Sequence, residues 1–251
     1  MKRFVLGCAL AVLAAMTAGS APAFADKNND QQIQKDVEKL IQGKKEFQGV
    51  TATVDDQIVT VNGSVNLYID KVNLEKRVKR IKNVDGIRNH VTINSNVPDD
   101  KLRDTLGSKL AYDRVGYGNV FNALTLEVKD GVVTIGGMVR DYPARDSAVA
   151  LAETTPGVKD VIDNIEVAPN SMFDDDLRMK LYAAIYRNPA LQRYALNPAK
   201  PIRIVVDNGH VGLFGVVDSS LDKQLAGTQA NSVPGVFSVD NQLIVNGQQT
   251  K

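Results

Sequence analysis

The chain has 251 residues, with 30 Lys or Arg against 29 Asp or Glu, so its net charge is close to zero. This balance does not support whole-chain attraction to nucleic acid, which requires a basic surface. Cys8 is the only cysteine and there are two histidines, so the composition favours neither thiolate chemistry nor a zinc site. We therefore expect no metal, no cofactor and no nucleic-acid partner.

The first 25 residues have the pattern of a secretory signal peptide. Lys2 and Arg3 precede an apolar run over 4–18, and Ala23-Phe24-Ala25 is a small-x-small cleavage sequence. The apolar run is shorter than the roughly 20 residues that a membrane span needs. We expect residues 1–25 to be removed on export to the periplasm or cell envelope, which leaves a mature chain without cysteine or a transmembrane segment.

A strand-like apolar run that contains a glycine occurs three times in the remaining chain. These glycines are Gly63, Gly137 and Gly215. Their period of roughly 75 residues is too long for a solenoid turn and suits a small domain present in three copies. A second glycine follows each of them, after a slightly longer interval in the first copy than in the other two. The second glycines are Gly86, Gly157 and Gly235.

The first copy predicts the order helix, strand, strand, helix, strand. Ile33, Val37 and Ile41 recur at helical spacing. The hairpin turn Asp55-Asp56-Gln57 lacks a glycine and is the weakest of the three turn signals. The elements predicted after the first helix are strands over 50–54 and 58–61, a helix over about 70–82 and a strand over 87–93.

The second and third copies repeat this order. Lys129-Asp130-Gly131 and Asp207-Asn208-Gly209-His210 predict tight hairpin turns. The acidic run 174–176 indicates a helix start near the positive end of the helix dipole rather than a calcium loop. The remaining elements predicted are helical stripes at 102–110 and 177–185, second helices at 144–153 and 221–230, and third strands at 161–167 and 236–245.

Each copy has the length of one small domain with a single core. We predict an α+β fold of three tandem αββαβ domains, each a three-stranded sheet with two helices on one face. A glycine in mid-strand marks a bulge or a close approach by another element, and we expect that element to be the first helix. The domains predicted are 26–96, 97–170 and 171–247, followed by a flexible tail over 248–251.

The three copies resemble the BON domain family. The resemblance rests on the strand pattern Val/Ile-Thr-Val/Ile-x-Gly-x-Val and on a closing phrase that begins Pro-Gly-Val. In the second copy that phrase runs from Pro156 to Val167 and contains Asn164, whereas Asn241 of the third copy departs from the phrase by one position. The resemblance implies a non-catalytic binding module of the periplasm or envelope, of the kind found in osmotic-stress and phospholipid-binding proteins.

Three functional hypotheses remain open from the sequence. The first is binding to anionic phospholipid surfaces in a stress or membrane-integrity role. The second is a chaperone-like or protein-interaction module for exported proteins, and the third is a hydrolase with an unrecognised site. His90 and His210 lie in different copies, and we expect His210 to be a solvated hairpin residue. The oligomeric state does not follow from the sequence.

The second helix of the first copy carries an unusual number of cations. Leu74, Val78 and Ile81 form its buried stripe, which leaves the cations on its polar face. They are candidates for contact with lipid phosphates, or else an ordinary solvated helix face. These residues are Lys71, Lys76, Arg77, Lys79, Arg80 and Lys82.

A segment rich in aromatic residues precedes the third hairpin. Tyrosine and arginine are favoured at interfaces, so this segment is a candidate protein-docking surface. The alternative is that its tyrosines cover the core of their own domain, since two of them are four residues apart on a helix. The candidates are Tyr182, Tyr186, Arg193 and Tyr194.

Overall fold

A computed structural model describes residues 23–113, 119–197 and 200–247. The signal-peptide prediction falls almost entirely on residues 1–22, and the tail prediction on 248–251, so both lie outside the described residues. Three consecutive units of similar construction make up the described chain. The first unit contains α1 (Ala23–Gln42), β1 (Val50–Asp55), β2 (Ile58–Val65), α2 (Tyr68–Val78) and β3 (Gly86–Ile93).

The second unit repeats this order without interruption. The third unit has the same order, but its second and third strands are each divided into two. The second unit contains α3 (Asp99–Ala111), β4 (Ala123–Lys129), β5 (Val132–Val139), α4 (Tyr142–Glu153) and β6 (Asp160–Val167). The third contains α5 (Met172–Tyr186), β7 (Arg203–Asp207), β8 (His210–Phe214), β9 (Val216–Val217), α6 (Ser220–Asn231), β10 (Ser238–Asn241) and β11 (Ile244–Val245).

Each unit has the same sheet topology. The first two strands form an antiparallel hairpin, and the third strand pairs in parallel with the second, on its other side. The helix between the second and third strands therefore makes the crossover that a parallel pair requires. Each unit also encloses its own hydrophobic cluster. The mixed α+β fold with small three-stranded sheets is thus confirmed.

The helical stripes predicted from apolar spacing are the buried faces of the first helices. Ile33 and Val37 of α1 are buried, as are Leu102 and Leu106 of α3. In the third unit the buried residues are Leu177, Leu181 and Ile185. The predicted second helix at 70–82 was too long, because α2 ends at Val78 and the chain continues through a turn.

The hairpin turns of all three units have two consecutive residues in the left-handed region. The φ angles are 55° and 80° at Asp130 and Gly131, and 49° and 60° at Asp56 and Gln57. This conformation matches the twist of the two strands and favours glycine at the second position. The first unit therefore makes the same turn with glutamine at the glycine position.

The mid-strand glycines meet a neighbouring strand, not the first helix as predicted. Gly63 has φ 120° and Gly137 has φ 92°. A Cβ atom at either residue would collide with the carbonyl oxygen of Gly49 or Ala123, which lies at or just before the start of the adjacent strand. Only glycine accommodates both this backbone conformation and this approach.

The prediction that Gly86 matches Gly157 and Gly235 was wrong. Gly86 pairs with Ile58 and is the first residue of β3. Three residues earlier, Asn83 has φ 65°, just as Gly157, three residues before β6, has φ 106°. Asn83 follows the mid-strand glycine of its unit at the same interval that separates the two glycines of the other units. Asparagine is among the few non-glycine residues that enter the left-handed region readily.

The structure also changes which residue of the second unit corresponds to Asn241. Asn241 pairs with Leu213, Asp163 with Ile135, and Asn89 with Val61, which are equivalent positions two residues before each mid-strand glycine. The residue of the second unit that corresponds to Asn241 is therefore Asp163 and not Asn164. The Asn241 side chain donates to the Lys223 carbonyl of α6 at 2.7 Å, so this position joins the third strand to the second helix.

The predicted third strand over 236–245 is interrupted. β10 ends at Asn241 and β11 begins at Ile244, opposite the point where Gly215 separates β8 from β9. Leu243 turns into the third core between them and is almost fully buried. Gly215 has φ 123°, close to the 120° of Gly63, whose strand is continuous.

Candidate functional site

The basic cluster of the first unit consists of Lys71, Lys76, Arg77, Lys79, Arg80 and Lys82. Leu74 and Val78 of α2 are buried in the first core, and Ile81 is partly buried against it, as the sequence predicted. The first three cations lie on α2, whereas Lys79, Arg80 and Lys82 lie in the turn that follows. Lys71 is half-buried and the other five are exposed. The cluster thus extends along α2 and into the turn that follows it.

Three members of the basic cluster have acidic neighbours, because Lys71 and Lys79 both act on Glu75 and Lys76 acts on Glu153. Lys79 Nζ lies 2.6 Å from a Glu75 oxygen one helical turn away, and this hydrogen bond is the main cause that lowers the pKa of Glu75. Burial raises the pKa of Glu153 on α4, and the charge of Lys76 opposes that effect. Lys76 therefore faces the second unit. Among the described residues, Lys79 is the only member of the cluster with an ion pair within 4 Å.

Tyr68, at the start of α2, joins the first unit to the second. Its ring packs against the hydrophobic core of the second unit, and its hydroxyl lies near the Asp160 carboxylate. Burial, followed by the contact with Asp160, raises the pKa of Tyr68 from 10.0 to about 12. This contact places one face of α2 against the second unit.

The structure places two of the four docking candidates inside the third unit. Tyr186 is buried and its hydroxyl donates to the Ile202 carbonyl at 2.7 Å. Tyr182 lies 4.8 Å from Tyr186 between ring centroids, and it meets the edge of Phe121 from the second unit. Tyr182 therefore lies at the junction of the second and third units, with part of its ring exposed.

The segment before β7 is tied to the start of α6. Tyr194 is buried, and its hydroxyl donates to Asp222 at 3.0 Å while it accepts from the Asp218 backbone N–H at 2.7 Å. Burial raises the pKa of Tyr194. Arg193 pairs with both aspartates, at 3.1 Å for Asp218 and 2.5 Å for Asp222. Buried side chains offer no surface to a partner. Tyr186 and Tyr194 therefore agree with the alternative that these tyrosines cover the core of their own domain.

A carboxylate on the first helix of every unit binds the hairpin turn of the same unit. We call this contact the aspartate clasp. Asp30 accepts from the backbone N–H groups of Asp56 and Gln57 at 3.1 and 2.8 Å. Asp99 and Asp174 make the same pair of bonds in the second and third units. The sequence predicted a helix start at the acidic run 174–176, and in the structure Asp174 lies in the first turn of α5, whose N-cap is Ser171.

In the described part of the chain, neither histidine belongs to a group of side chains that could bind a metal ion. His90 and His210 are both exposed, and the Nδ1 atom of His210 lies 2.7 Å from Ser238 Oγ. Within residues 23–113, 119–197 and 200–247, no group of three or more His, Cys, Asp or Glu side chains is arranged to hold a metal ion. None of the helices in these ranges is both long and apolar enough to cross a membrane.

The second and third units match the BON domain family, over residues 98–169 and 173–247, which together make up more than half of the chain. The chain belongs to the BON domain family. No curated protein is similar enough to the chain to count as a match.

Two solved structures of CdsD, a structural protein of the type III secretion system of Chlamydia trachomatis, are similar to this BON-domain chain. The C-terminal domain of CdsD has 14% identity and a TM-score of 0.23, and the match covers 90% of this chain and 98% of that one. The other has 15% identity and a TM-score of 0.23, with 85% and 92% covered. TM-scores this low support no conclusion about this chain.

The BON domain over residues 173–247 carries an aromatic patch that sequence reasoning missed. The patch consists of Met172, Phe173 and Phe237, which are 90%, 50% and 71% exposed. The two phenylalanine rings stack with centroids 6.4 Å apart, and Phe237 packs over Gly209 of the hairpin turn. Phe173 and Phe237 lie near opposite ends of the third unit in the sequence. Only the tertiary structure brings them together.

Proposed function

We propose that this protein is a non-catalytic binding protein of the periplasm or cell envelope, exported by residues 1–25, that attaches to anionic phospholipid surfaces through the basic cluster. Membership of the BON domain family supports a binding role. The cluster supports an anionic surface as the partner, because five of its six cations are exposed and lie near the end of α2 or in the turn that follows.

We also propose that the first unit is a third BON domain. It has the strand order, pairing directions and aspartate clasp of the two units that match the family. Its left-handed Asn83 and its Gln57 stand where those units have glycine. These two departures from glycine occur without any change in the order of elements. The domain limits proposed remain 26–96, 97–170 and 171–247.

The observation that carries the lipid proposal is the exposure of Arg77, Arg80 and Lys82. Each has no ion pair within 4 Å among the described residues, so none must first leave an acidic partner. A cation near an anionic membrane surface contributes about 1 kcal/mol, so three contribute about 3 kcal/mol, or roughly a hundredfold in affinity. That attraction should weaken as salt is added.

Vesicle cosedimentation with the exported chain tests this proposal. The vesicles contain phosphatidylcholine alone or phosphatidylcholine with phosphatidylglycerol, and the salt concentration is varied. We expect binding only to the anionic vesicles. We expect the triple variant Arg77→Gln, Arg80→Gln, Lys82→Gln to lose most of that binding.

The matched control carries the same charge change on exposed lysines elsewhere in the first unit. These are Lys35→Gln, Lys39→Gln and Lys44→Gln. If the control variant loses as much binding as the cluster variant, net charge rather than the basic cluster is responsible. If wild-type protein binds neutral and anionic vesicles equally, the proposal fails.

A second candidate function is interaction with exported proteins through the aromatic patch. Exposed apolar side chains in contact with one another mark interaction surfaces. The measurement is suppression of the aggregation of an unfolded client, which should not depend on salt. Phe173→Ser with Phe237→Ser should abolish it, whereas Leu196→Ser, another highly exposed apolar residue, should not. We do not propose the hydrolase alternative.

A further inference from the structure

A cavity of about 340 Å³ lies where the second unit meets the third. The start of α4 contributes Arg140 and Tyr142 to its wall, and α5 contributes Ser171, Asp175 and Arg178. The short linker between β6 and α5 completes the lining. The cavity therefore has one arginine from each of the two units in its wall.

Arg178 is unusual because it is a charged side chain that is only 3% exposed. Its Nη2 donates to the Val206 carbonyl at 2.7 Å, and its Nη1 lies 2.8 Å from Asp175 Oδ1. Its Nε is the only buried side-chain nitrogen or oxygen among the described residues that has no hydrogen-bond partner. An unsatisfied buried donor costs about 1–3 kcal/mol, so this guanidinium can take a further acceptor.

Arg140 reaches the same carboxylate oxygen from the other side. Its Nε lies 3.2 Å from Asp175 Oδ1, and Asp175 is its only ion-pair partner in the described chain. One carboxylate oxygen therefore serves two guanidinium groups. Neither arginine makes the two parallel hydrogen bonds to one acid group that its geometry favours.

Two helices begin at this cavity. Asp141 caps α4 and Ser171 caps α5, and both residues line the wall. These helices have 12 and 15 residues, and their N-terminal ends carry partial positive charge. Two guanidinium groups, two helix ends and the carboxylates of Asp141 and Asp175 thus line this space.

We propose that this cavity binds a small oxyanion, a phosphate or a carboxylate group, between Arg140 and Arg178. The oxyanion takes the place of Asp175 on the guanidinium groups and offers each a second acceptor oxygen. Asp175 is partly exposed and lies at the edge of the site, so it can turn toward solvent when the anion enters. Because the arginines belong to different units, a bound oxyanion links the second unit to the third.

The test is a titration of the exported chain with inorganic phosphate and, separately, with acetate at constant ionic strength. Backbone amide NMR shifts at the start of α5 report binding. We expect saturable shifts in the millimolar range. We expect Arg140→Gln to weaken binding about tenfold because one of the two guanidinium groups is lost.

The Asp175→Asn variant shows whether Asp175 competes with a bound anion or has only a structural role. If Asp175 competes with the anion, removal of its charge should tighten binding several-fold, whereas a purely structural role predicts no gain. Arg187→Gln, an exposed arginine at the end of α5, is the matched control and should bind as wild type does. The proposal is overturned if neither anion gives saturable shifts, or if Arg140→Gln and Asp175→Asn bind as wild type does.

Vesicles containing phosphatidic acid distinguish the sources of phosphate. A lipid source requires Arg140→Gln to lower vesicle binding as well as phosphate binding, and a soluble source requires it to lower phosphate binding alone. The basic-cluster variant should keep the phosphate site in either case. Failure of the vesicle experiment in the preceding subsection therefore leaves this proposal standing, and the reverse also holds.

Discussion

Asp174 accepts a hydrogen bond from the backbone N–H of Gly209 at 2.9 Å, and this contact joins the start of α5 to the turn between β7 and β8. The second carboxylate oxygen accepts from the neighbouring Asn208 N–H at 3.0 Å. Asp174 is completely buried. The hairpin turn of a BON unit is therefore held from outside the hairpin, by the helix that precedes it.

Asp174→Asn should destabilise the third unit by about 2–3 kcal/mol, because an amide cannot accept both hydrogen bonds and leaves a buried N–H unpaired. Urea unfolding followed by circular dichroism measures the change. Asp176→Asn is the control, since Asp176 is exposed and Lys180 is its one ion-pair partner among the described residues. Equal losses in the two variants would show that the clasp contributes no more than a surface ion pair.

Gln57→Gly should stabilise the first unit by about 1 kcal/mol. Gln57 has φ 60°, a conformation that costs a residue with a side chain free energy but costs glycine almost none. Gln48→Gly is the control, because Gln48 has φ −60° and glycine there should destabilise the same unit. Thermal unfolding of the two variants checks the opposite signs. A loss of stability in Gln57→Gly would contradict the prediction.

Gly63→Ala should destabilise the first unit by more than about 3 kcal/mol, because its methyl group would meet the carbonyl oxygen of Gly49 in a strained backbone conformation. Gly107→Ala should have the opposite effect, about 1 kcal/mol of stabilisation. Gly107 is exposed within α3 and has nothing within 4 Å of an added Cβ. Unfolding midpoints of the two variants give the comparison, and similar midpoints would refute it.

The junction of the first two units should weaken at high pH. The pKa of Tyr68 is raised from 10.0 to about 12, so the folded chain favours the neutral phenol. Its contribution is complete below pH 10 and is lost as the pH rises through 12. Tyr68→Phe removes the ionisable hydroxyl and should remove this part of the pH dependence. Hydrogen exchange at α2 against pH measures it, and an unchanged profile in Tyr68→Phe would contradict the assignment.

The order of elements could be predicted from the sequence because it depends on local spacing. Ile33 and Val37 recur at helical intervals, and Asp130-Gly131 has the composition of a tight turn. These signals are complete within a few residues. The BON resemblance rested on the same local patterns and is confirmed for the second and third units.

The equivalence of Asn83 to Gly157 could not be read from residue types, because what the two share is a positive φ rather than a side chain. The glycine nearest in sequence, Gly86, was misleading for that reason. Likewise, Asp174 and Gly209 are 35 residues apart, and no local pattern relates a helical carboxylate to a distant turn. A search for Asp at the same place in each first helix would have found the clasp.

In the candidate sites, too, local spacing predicted some features, and others depend on packing between distant residues. The helical spacing of Leu74 and Val78 accounts for the exposure of Lys76 and Arg77 on α2. It does not account for Lys79, Arg80 and Lys82, which lie in the turn after the helix. The proximity of Lys76 to Glu153 depends on how two units pack and has no signal in the sequence. The hydrogen bond from Tyr194 to Asp222 likewise joins residues that are 28 positions apart.

The residue just before each third strand donates its backbone N–H to the carbonyl oxygen of the hairpin turn, at 3.0 Å from Asp85, 2.9 Å from Lys159 and 2.9 Å from Phe237. The fold thus holds this position by main-chain atoms and accepts an acidic, a basic or an aromatic side chain there. This position is therefore suited to the exchange of side chains between units. Exchange of these three residues among the units would move a surface property from one unit to another while the scaffold beneath stays the same.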